Sequence, residues 1–184
     1  MHPRFSDDEL RIVSYVERYD VSHFESTSNE LNDFLKEDAL KNQKELISTT
    51  YLCCHSNQLV GYVTFTTDII RKKDVHEEER IEVPYKEYPA IKIARLATDK
   101  EYEKKGVGTF LLLAAIGMAY DISKKVGCRF IIVDSKQESI EFYEKHGFKL
   151  VKKHERDDYP TMYLDIMPAI EEMKPKIIEL GDFS

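Results

Sequence analysis

Cysteine, glycine and proline are scarce in this sequence, whose 184 residues include three cysteines, seven glycines and six prolines. Such a composition excludes a collagen-like or disordered chain. Cys53 and Cys54 are adjacent and Cys128 stands alone, so no C-x-x-C pair occurs, and no histidine lies at zinc-ligand spacing from a cysteine. We therefore expect reduced, buried thiols and no metal site.

Long apolar runs are also lacking, since no stretch approaches the roughly 20 apolar residues that cross a bilayer. The first eight residues contain no apolar segment typical of a signal peptide. We therefore predict a cytoplasmic protein with no membrane partner. The net charge of −7 disfavours a general polyanion binder, although a local basic patch is compatible with it.

The remaining composition, 42% hydrophobic and 33% charged, favours one globular domain that is long enough to bury a core. We assign residues 1–167 to an α+β domain and 168–184 to a C-terminal extension whose apolar residues suit a helix. The charged segment 71–89 is predicted to be an exposed loop, either functional or a solvated linker. Apolar spacing predicts strands over 10–16, 46–54, 59–70, 90–97, 128–133, 148–151 and 161–167, and helices over about 29–43, 109–126 and 137–146.

The segment 90–133 has the order strand, glycine loop, helix, strand. Gly106 and Gly108 allow a ligand to approach the main chain, and the first N–H groups of a helix have no partner inside it. Together with Lys104 and Lys105, these amides suit a phosphate or pyrophosphate. The loop matches neither a Walker A loop nor the Rossmann fingerprint, so a flexible turn before a helix is the alternative.

Three motifs occur in the order and spacing of one protein family: Ala94-Arg95-Leu96-Ala97-Thr98-Asp99, Gly106-Val107-Gly108 and Phe142-Tyr143-Glu144-Lys145-His146-Gly147-Phe148. On these motifs the chain resembles the GNAT family of N-acetyltransferases over about residues 10–167. The resemblance implies an α/β (α+β) GNAT fold, in which a mixed, mostly antiparallel sheet is split at its centre and has helices on both faces.

Within that family the chain looks most like the acetyltransferase toxins of bacterial toxin–antitoxin pairs. The residues that carry this narrower resemblance are Phe24, Leu31-Asn32-Asp33-Phe34-Leu35, Gly61-Tyr62, Ala94-Arg95-Leu96-Ala97 and Leu164-Asp165-Ile166.

The resemblance implies that acetyl-CoA is the cosubstrate and that no metal is needed. The pantetheine arm would lie along the strand at Leu96, Ala97 and Thr98, bonded to its backbone like an added strand. Lys136 stands where many relatives carry an asparagine that contacts the CoA arm. The pyrophosphate would rest on the loop formed by Lys104, Lys105, Gly106, Val107, Gly108 and Thr109.

The resemblance also implies direct attack of a primary amine on the thioester. A backbone N–H near Leu96 or Ala97 would stabilise the oxyanion. Tyr143 matches the family's general acid, which donates a proton to the leaving thiolate. Without the family resemblance, the sequence favours for Tyr143 the role of a core aromatic residue at a helix end.

Other residues of this region leave alternatives open. Glu103 places a carboxylate where the family's loop opens with glutamine or arginine. A negative charge beside the pyrophosphate is unfavourable unless the side chain points away from it or pairs with Lys104 or Lys105. Asp68 and Glu141 are candidates for the base, and a water chain is the alternative. For Arg95 two roles are open, which are binding of the substrate and an ion pair with a surface acid. For His146 we expect a structural role at a helix C-terminus, where a positive charge is favourable.

The acceptor is the least determined part of the activity. The toxin-like branch implies the amino group of aminoacyl-tRNA, which requires basic residues near the site. The candidates are Arg71-Lys72-Lys73 and a second cluster beside the expected acceptor groove, Lys149, Lys152, Lys153 and Arg156. The acidic run at 77–79 favours instead a small amine, a polyamine or a protein lysine. A catalytically weak CoA-binding or interaction module is a further alternative. An antitoxin protein and a second copy of this chain in a homodimer are the expected protein partners.

Overall fold

The computed structural model describes residues 5–151, 154 and 157–171. Its strands are β1 (Leu10–Ser14), β2 (Thr49–His55), β3 (Gln58–Arg71), β4 (Glu87–Thr98), β5 (Phe130–Asp134), β6 (Lys149–Leu150) and β7 (Thr161–Asp165). Its helices are α1 (Asn29–Asp33), α2 (Ala39–Lys44), α3 (Val107–Lys125) and α4 (Ile140–Glu144). Residues 166–171 are also helical.

The seven strands form one sheet in the order β1-β2-β3-β4-β5-β7-β6. β4 and β5 pair in parallel, whereas β1 with β2, β2 with β3, β5 with β7 and β6 with β7 pair antiparallel. The register of β4 with β5 ends at Ile93 and Val133, although β4 continues to Thr98. The predicted mixed, mostly antiparallel sheet with a central split is thereby confirmed.

The described residues form two compact units, and β3, β4 and α3 contribute to both. The first unit comprises residues 5–66 and 94–115. A hydrophobic cluster fills it, in which Phe24, Leu35 and Tyr62 are among the most buried side chains. α2 supplies Ala39 to this cluster, the strands supply part of the rest, and Tyr15, Val21 and Phe24 come from the connection between β1 and α1.

The second unit comprises residues 67–93, 116–151, 154 and 157–171. Its own cluster is built around Tyr88, Phe130 and Tyr163, with Val75 from the segment that follows β3. Burying such apolar side chains stabilises each unit by about 1.5–3 kcal/mol per large residue.

Several predicted elements differ from the structure. β1 ends at Ser14 rather than residue 16, and β4 begins at Glu87, inside the predicted loop 71–89. The helix predicted over 29–43 is interrupted by a π-helical turn, Phe34–Asp38, in which the Ala39 amide donates to the Phe34 carbonyl. A single π-helical turn inside an α-helix adds a residue without ending the helix, and the apolar spacing of the sequence did not predict it. The last strand ends at Asp165 rather than residue 167, and the helical segment 166–171 follows. Most of the predicted extension 168–184 lies outside the described residues.

α3 is an exception to the expectation that no apolar stretch of this chain is long enough to cross a bilayer. Within the described part of the chain it is one helix whose length and composition would allow it to cross a membrane, and 56% of its most apolar window is buried in the protein. Core helices of soluble proteins meet the same criterion, so this finding is weak evidence for a membrane span. Its fully buried residues include Leu111, Leu112, Ala115 and Ala119.

Candidate functional site

The turn that enters α3 has an unusual backbone. Lys104 has φ +61° and Gly106 has φ +95°, both in the left-handed region, which costs an ordinary residue about 1–2 kcal/mol. The amide of Phe110 donates to the Gly106 carbonyl over 3.0 Å, which starts the helical hydrogen bonds. The amides of residues 107–109 precede this bond and have no partner within the helix. The start of α3 is therefore suited to an anionic group.

The approach to this turn is held by Asp99, which is 7% exposed. One carboxylate oxygen accepts a hydrogen bond from the Glu101 amide, and the other accepts one from the Glu25 amide, each over 3.0 Å. The Asp99 amide in turn donates to the Val60 carbonyl over 2.9 Å. The sequence analysis did not predict these hydrogen bonds of Asp99. The one local signal for them was an aspartate two residues before a tight turn.

The lysines of the turn differ in their surroundings. Lys104 is exposed, whereas the ammonium of Lys105 lies 4.8 Å from the centre of the Tyr102 ring and 5.8 Å from that of Phe5. Glu103 is half-buried, and across the described residues it has no ion pair within 4.0 Å. The neighbouring lysines thus do not offset its charge in the way that the sequence suggested.

The end of β4 carries the other residues predicted for the first unit. Ala97 is buried, and Leu96 and Thr98 are half-buried. Gly61 of β3 is required here, because a Cβ at Gly61 would lie 2.8 Å from the Ala97 carbonyl oxygen and 2.8 Å from a methyl group of Leu111. The register of β2 with β3 shifts beside Gly61, between Cys53 and Cys54. The structure therefore brings Leu96–Thr98 and the α3 turn together in one unit.

Arg95 lies next to these residues and is already engaged. Its guanidinium is 3.3 Å from the Glu30 carboxylate, donates to the Ala94 carbonyl over 2.7 Å and lies 5.0 Å from the centre of the Phe34 ring. Its Nε is buried and has no hydrogen-bond partner among the described residues. Pairing with an acid, one of the two predicted roles, is thus present in this structure. Its role toward substrate stays a prediction.

Tyr143 belongs to the second unit and is 7% exposed. Its ring packs edge-on against Phe142 and Phe148 at centroid distances of 5.1 and 5.4 Å. Burial raises the pKa of Tyr143 to about 12, so the hydroxyl keeps its proton at neutral pH. This hydroxyl makes no hydrogen bond to any of the described residues. Tyr143 therefore has the features of a core aromatic and of a phenol able to donate one hydrogen bond.

Two further candidates of the second unit, Lys136 and His146, take part in backbone hydrogen bonds at the two ends of the α4 region. Lys136 is half-buried at the entry to the turn Gln137–Ser139, where its carbonyl accepts hydrogen bonds from Ser135 and Ser139. The Nδ1 of His146 bonds the Phe142 carbonyl over 2.8 Å, which fits the predicted role at the end of α4.

The two candidate bases are both in ion pairs. Asp68 lies 3.7 Å from the ammonium of Lys92, which also contacts Asp134 at 2.5 Å. Glu141 is exposed and bonds Lys145 over 2.8 Å, and that hydrogen bond lowers the pKa of Glu141. A carboxylate with a lowered pKa is a weaker base, so Glu141 is poorly suited to accept a proton.

The segment after β3 forms a concave surface that sequence reasoning found only in part. Its cavity of about 590 Å³ is lined by the three predicted basic residues at 71–73 and by Arg80, Lys86 and Glu87, which were not predicted. We call this surface the basic pocket. Because its residues come from both ends of a 15-residue connection, their proximity depends on how that connection folds.

The mixed sheet and the left-handed turn that opens a buried helix define an α+β protein in which one helix N-terminus is suited to an anion. Residues 12–148 match the model of the Acetyltransferase (GNAT) family. The chain therefore belongs to the GNAT family of acetyltransferases, as the sequence motifs predicted.

The chain is also similar to individual proteins. A tRNA-acetylating toxin of Mycobacterium tuberculosis is 29% identical over 132 residues, which cover 71% of this chain and 79% of the relative. The structure of AtaT complexed with acetyl-methionyl-tRNAfMet has a TM-score of 0.78 at 20% identity, covering 91% of this chain and 99% of AtaT. A tyrosine-to-phenylalanine variant of KacT has a TM-score of 0.80 at 22% identity, covering 89% of this chain and 99% of KacT. Both structures support the same fold.

Proposed function

We propose that this chain is an acetyl-CoA-dependent N-acetyltransferase that acetylates the amino group of an amino acid carried on tRNA. The left-handed turn before α3 is the observation that carries the enzyme class, because it presents unpaired amides to an anionic cosubstrate. Membership of the acetyltransferase family supports the reaction. The similarity to a tRNA-acetylating toxin supports the acceptor.

The first unit holds the acetyl donor in this proposal. The diphosphate of acetyl-CoA lies on the turn formed by 104–109, where helix-start amides favour negative charge by about 0.3–1 kcal/mol. The pantetheine arm bonds the backbone at Leu96, Ala97 and Thr98, since the pairing of β4 with β5 ends before them at Ile93. The contact of Lys136 with the CoA arm stays a prediction from the family resemblance.

The chemistry is a direct acyl transfer. The amine lone pair forms the C–N bond at the thioester carbonyl, the C–S bond breaks, and the amine gives up one proton. Because the pKa of Tyr143 is raised to about 12 and a free thiol has a pKa of about 8.5, the phenol is the weaker acid. Tyr143 therefore stabilises the leaving sulfur through a donated hydrogen bond, and the proton of the amine balances the thiolate.

The cysteines do not form a covalent acetyl intermediate in this proposal. Burial raises the pKa of Cys53 to about 12 and that of Cys128 to about 11, so neither thiol is ionised at neutral pH. The thiolate is the nucleophilic form of cysteine. Direct attack by the amine is therefore the simpler route.

The proposed partners follow from the same relatives. AtaT has been solved with the C-terminus of its antitoxin AtaR, and a protein antitoxin is proposed for this chain as well. A homodimer, a cytoplasmic location and a catalytic domain over residues 1–167 are further parts of the proposal.

The experiment that tests the acceptor offers labelled acetyl-CoA with aminoacyl-tRNA, deacylated tRNA, a polyamine or a lysine-containing peptide. We expect label on aminoacyl-tRNA, and mild alkaline hydrolysis should release the label with the amino acid rather than leave it on the RNA. Label on the polyamine or the peptide, with none on aminoacyl-tRNA, would overturn the acceptor and leave the acetyltransferase class intact.

A further inference from the structure

We propose that the basic pocket is a docking surface for the phosphate backbone of the RNA that carries the acceptor amino acid. This inference rests on the proposed function and extends it, because it assigns RNA binding to named side chains of the second unit. Five cations and one carboxylate line the pocket in a chain whose net charge is −7. RNA contact in such an acidic protein requires a local basic surface.

Three of the five cations are available for a ligand. Among the described residues, Arg71, Lys73 and Lys86 have side chains that make no hydrogen bond or ion pair, and all three are exposed. The other two are used by the fold. Lys72 donates to the Val83 carbonyl over 3.2 Å, and Arg80 donates to the Val75 carbonyl over 3.1 Å.

The segment that carries these cations is fixed at several points. The Lys72 amide donates to the Lys86 carbonyl over 2.8 Å and closes the base of the connection. The hydroxyl of Tyr88 accepts from the Ile81 amide at 3.1 Å and donates to the Ile81 carbonyl at 3.0 Å. Val75 is 1% exposed and belongs to the hydrophobic cluster of the second unit. The basic pocket is therefore preformed, which reduces the entropy lost when a ligand binds.

The acidic run at 77–79 is engaged in hydrogen bonds and ion pairs, one of them with Arg80 of the basic pocket. Glu79 accepts a hydrogen bond from the Tyr163 hydroxyl at 2.6 Å and pairs with Lys149 at 3.1 Å. Glu77 pairs with Arg80 at 3.3 Å, and Glu78 lies 3.6 Å from His76. None of these three glutamates lines the basic pocket, although Glu77 and Glu78 line a neighbouring cavity that shares Lys73 and Arg80 with it. The attraction of RNA to this surface therefore depends on Arg71, Lys73 and Lys86, the three cations that pair with no glutamate of the acidic run.

The test measures binding of uncharged tRNA, which requires neither acetyl-CoA nor turnover, as a function of salt. In a triple variant, Arg71→Ala with Lys73→Ala and Lys86→Ala, each lost phosphate contact should reduce the slope of log Kobs against log[salt] by about 1, or by about 3 in total. Extrapolated from 1 M salt, this change corresponds to a loss of affinity on the order of a hundredfold at 0.15 M salt.

Two controls accompany this variant. Arg18→Ala with Lys36→Ala and Lys125→Ala removes the same charge from exposed cations that do not line the pocket, and its slope should stay close to that of the wild type. Glu87→Gln removes the one carboxylate of the lining and should tighten binding by about two- to fivefold, a typical scale for one exposed charge. Unchanged circular dichroism and acetyl-CoA affinity would show that each variant is folded.

The outcomes separate the two proposals. A salt slope that is equal in the wild type, the triple variant and its control would overturn the docking surface, while acetylation of aminoacyl-tRNA by the wild type would keep the proposed function. Wild-type protein that binds no uncharged tRNA would also overturn the docking surface, whereas wild-type protein that does not acetylate aminoacyl-tRNA would overturn the proposed function. If the triple variant fails to fold, Lys73→Gln with Lys86→Gln applies the same test, with an expected slope change of about 2.

Discussion

The two units of this chain differ in the kind of atoms they offer to a ligand. The candidate groups of the first unit are mostly backbone amides, exposed by a turn with left-handed residues at Lys104 and Gly106. Those of the second unit are side chains: the buried phenol of Tyr143 and the cations of the basic pocket. A backbone site depends on conformation and a side-chain site depends on chemical identity, so different substitutions should disable each unit.

The largest effect is expected for Tyr143→Phe, which removes one hydroxyl from a buried ring. Loss of a hydrogen-bond donor to the leaving group should lower kcat by about 10²-fold or more. The affinity for acetyl-CoA, measured by calorimetry, should change less than twofold, because the first unit holds the donor.

Tyr159→Phe is the matched control, since Tyr159 is 55% exposed. Its activity should equal that of the wild type. Full activity in Tyr143→Phe would contradict the assignment of a side-chain role in the second unit.

A smaller effect is expected for Gly106→Ala, which tests the backbone site. A Cβ at φ +95° is strained by about 1–2 kcal/mol, so the turn should shift and acetyl-CoA should bind about tenfold more weakly. Equilibrium dialysis with labelled acetyl-CoA measures this change.

Gly127→Ala is the control, because a Cβ there meets no atom within 4 Å and its φ lies outside the left-handed region. We expect no loss of affinity in Gly127→Ala. Equal affinity in Gly106→Ala and the wild type would argue against a diphosphate at this turn.

Lys104→Gly tests whether the turn binds through its side chains or its backbone. It removes the side chain of Lys104 and favours the left-handed backbone conformation that Lys104 already has. Glycine adopts φ +61° without steric cost, which offsets its greater loss of chain entropy, so the melting temperature should be unchanged or slightly raised. Acetyl-CoA affinity should fall by less than about fivefold, the scale of one exposed charge. A loss as large as that of Gly106→Ala would show that the first unit binds through side chains.

The smallest effect is expected in the pH profile. Tyr143 acts with its proton on, and its raised pKa of about 12 keeps it protonated throughout the range from pH 7 to 10. kcat should therefore show no falling limb in this range that depends on Tyr143. A falling limb near pH 9 that is present in the wild type and absent in Tyr143→Phe would contradict the raised pKa.

The features that could be predicted from the sequence are those that leave a local signal in it. The glycine turn and the strands around it were predicted because glycine spacing and apolar alternation are local signals. Residues 106 and 108 mark the turn, and the alternation over 90–97 matches most of β4. The left-handed backbone at Lys104 carried no such signal, because lysine has no preference for it.

The features that could not be predicted depend on distant residues. The Glu25 amide reaches the Asp99 carboxylate across 74 positions, and the His76 amide reaches the Tyr163 hydroxyl across 87. These contacts order the approach to α3 and the segment of the basic pocket. Local periodicity contains no information on such pairs, which is why the segment 71–89 was predicted only as a loop.

The measurement that tests the central claim most directly is product analysis after a single turnover. Enzyme preloaded with labelled acetyl-CoA is mixed with aminoacyl-tRNA, quenched, and both the protein and the released amino acid are analysed by mass spectrometry. We predict one acetyl group on the α-amino group and none on the protein. Acetyl found on a cysteine or lysine of the enzyme, with an unmodified amino acid on the tRNA, would contradict direct transfer from acetyl-CoA to this acceptor.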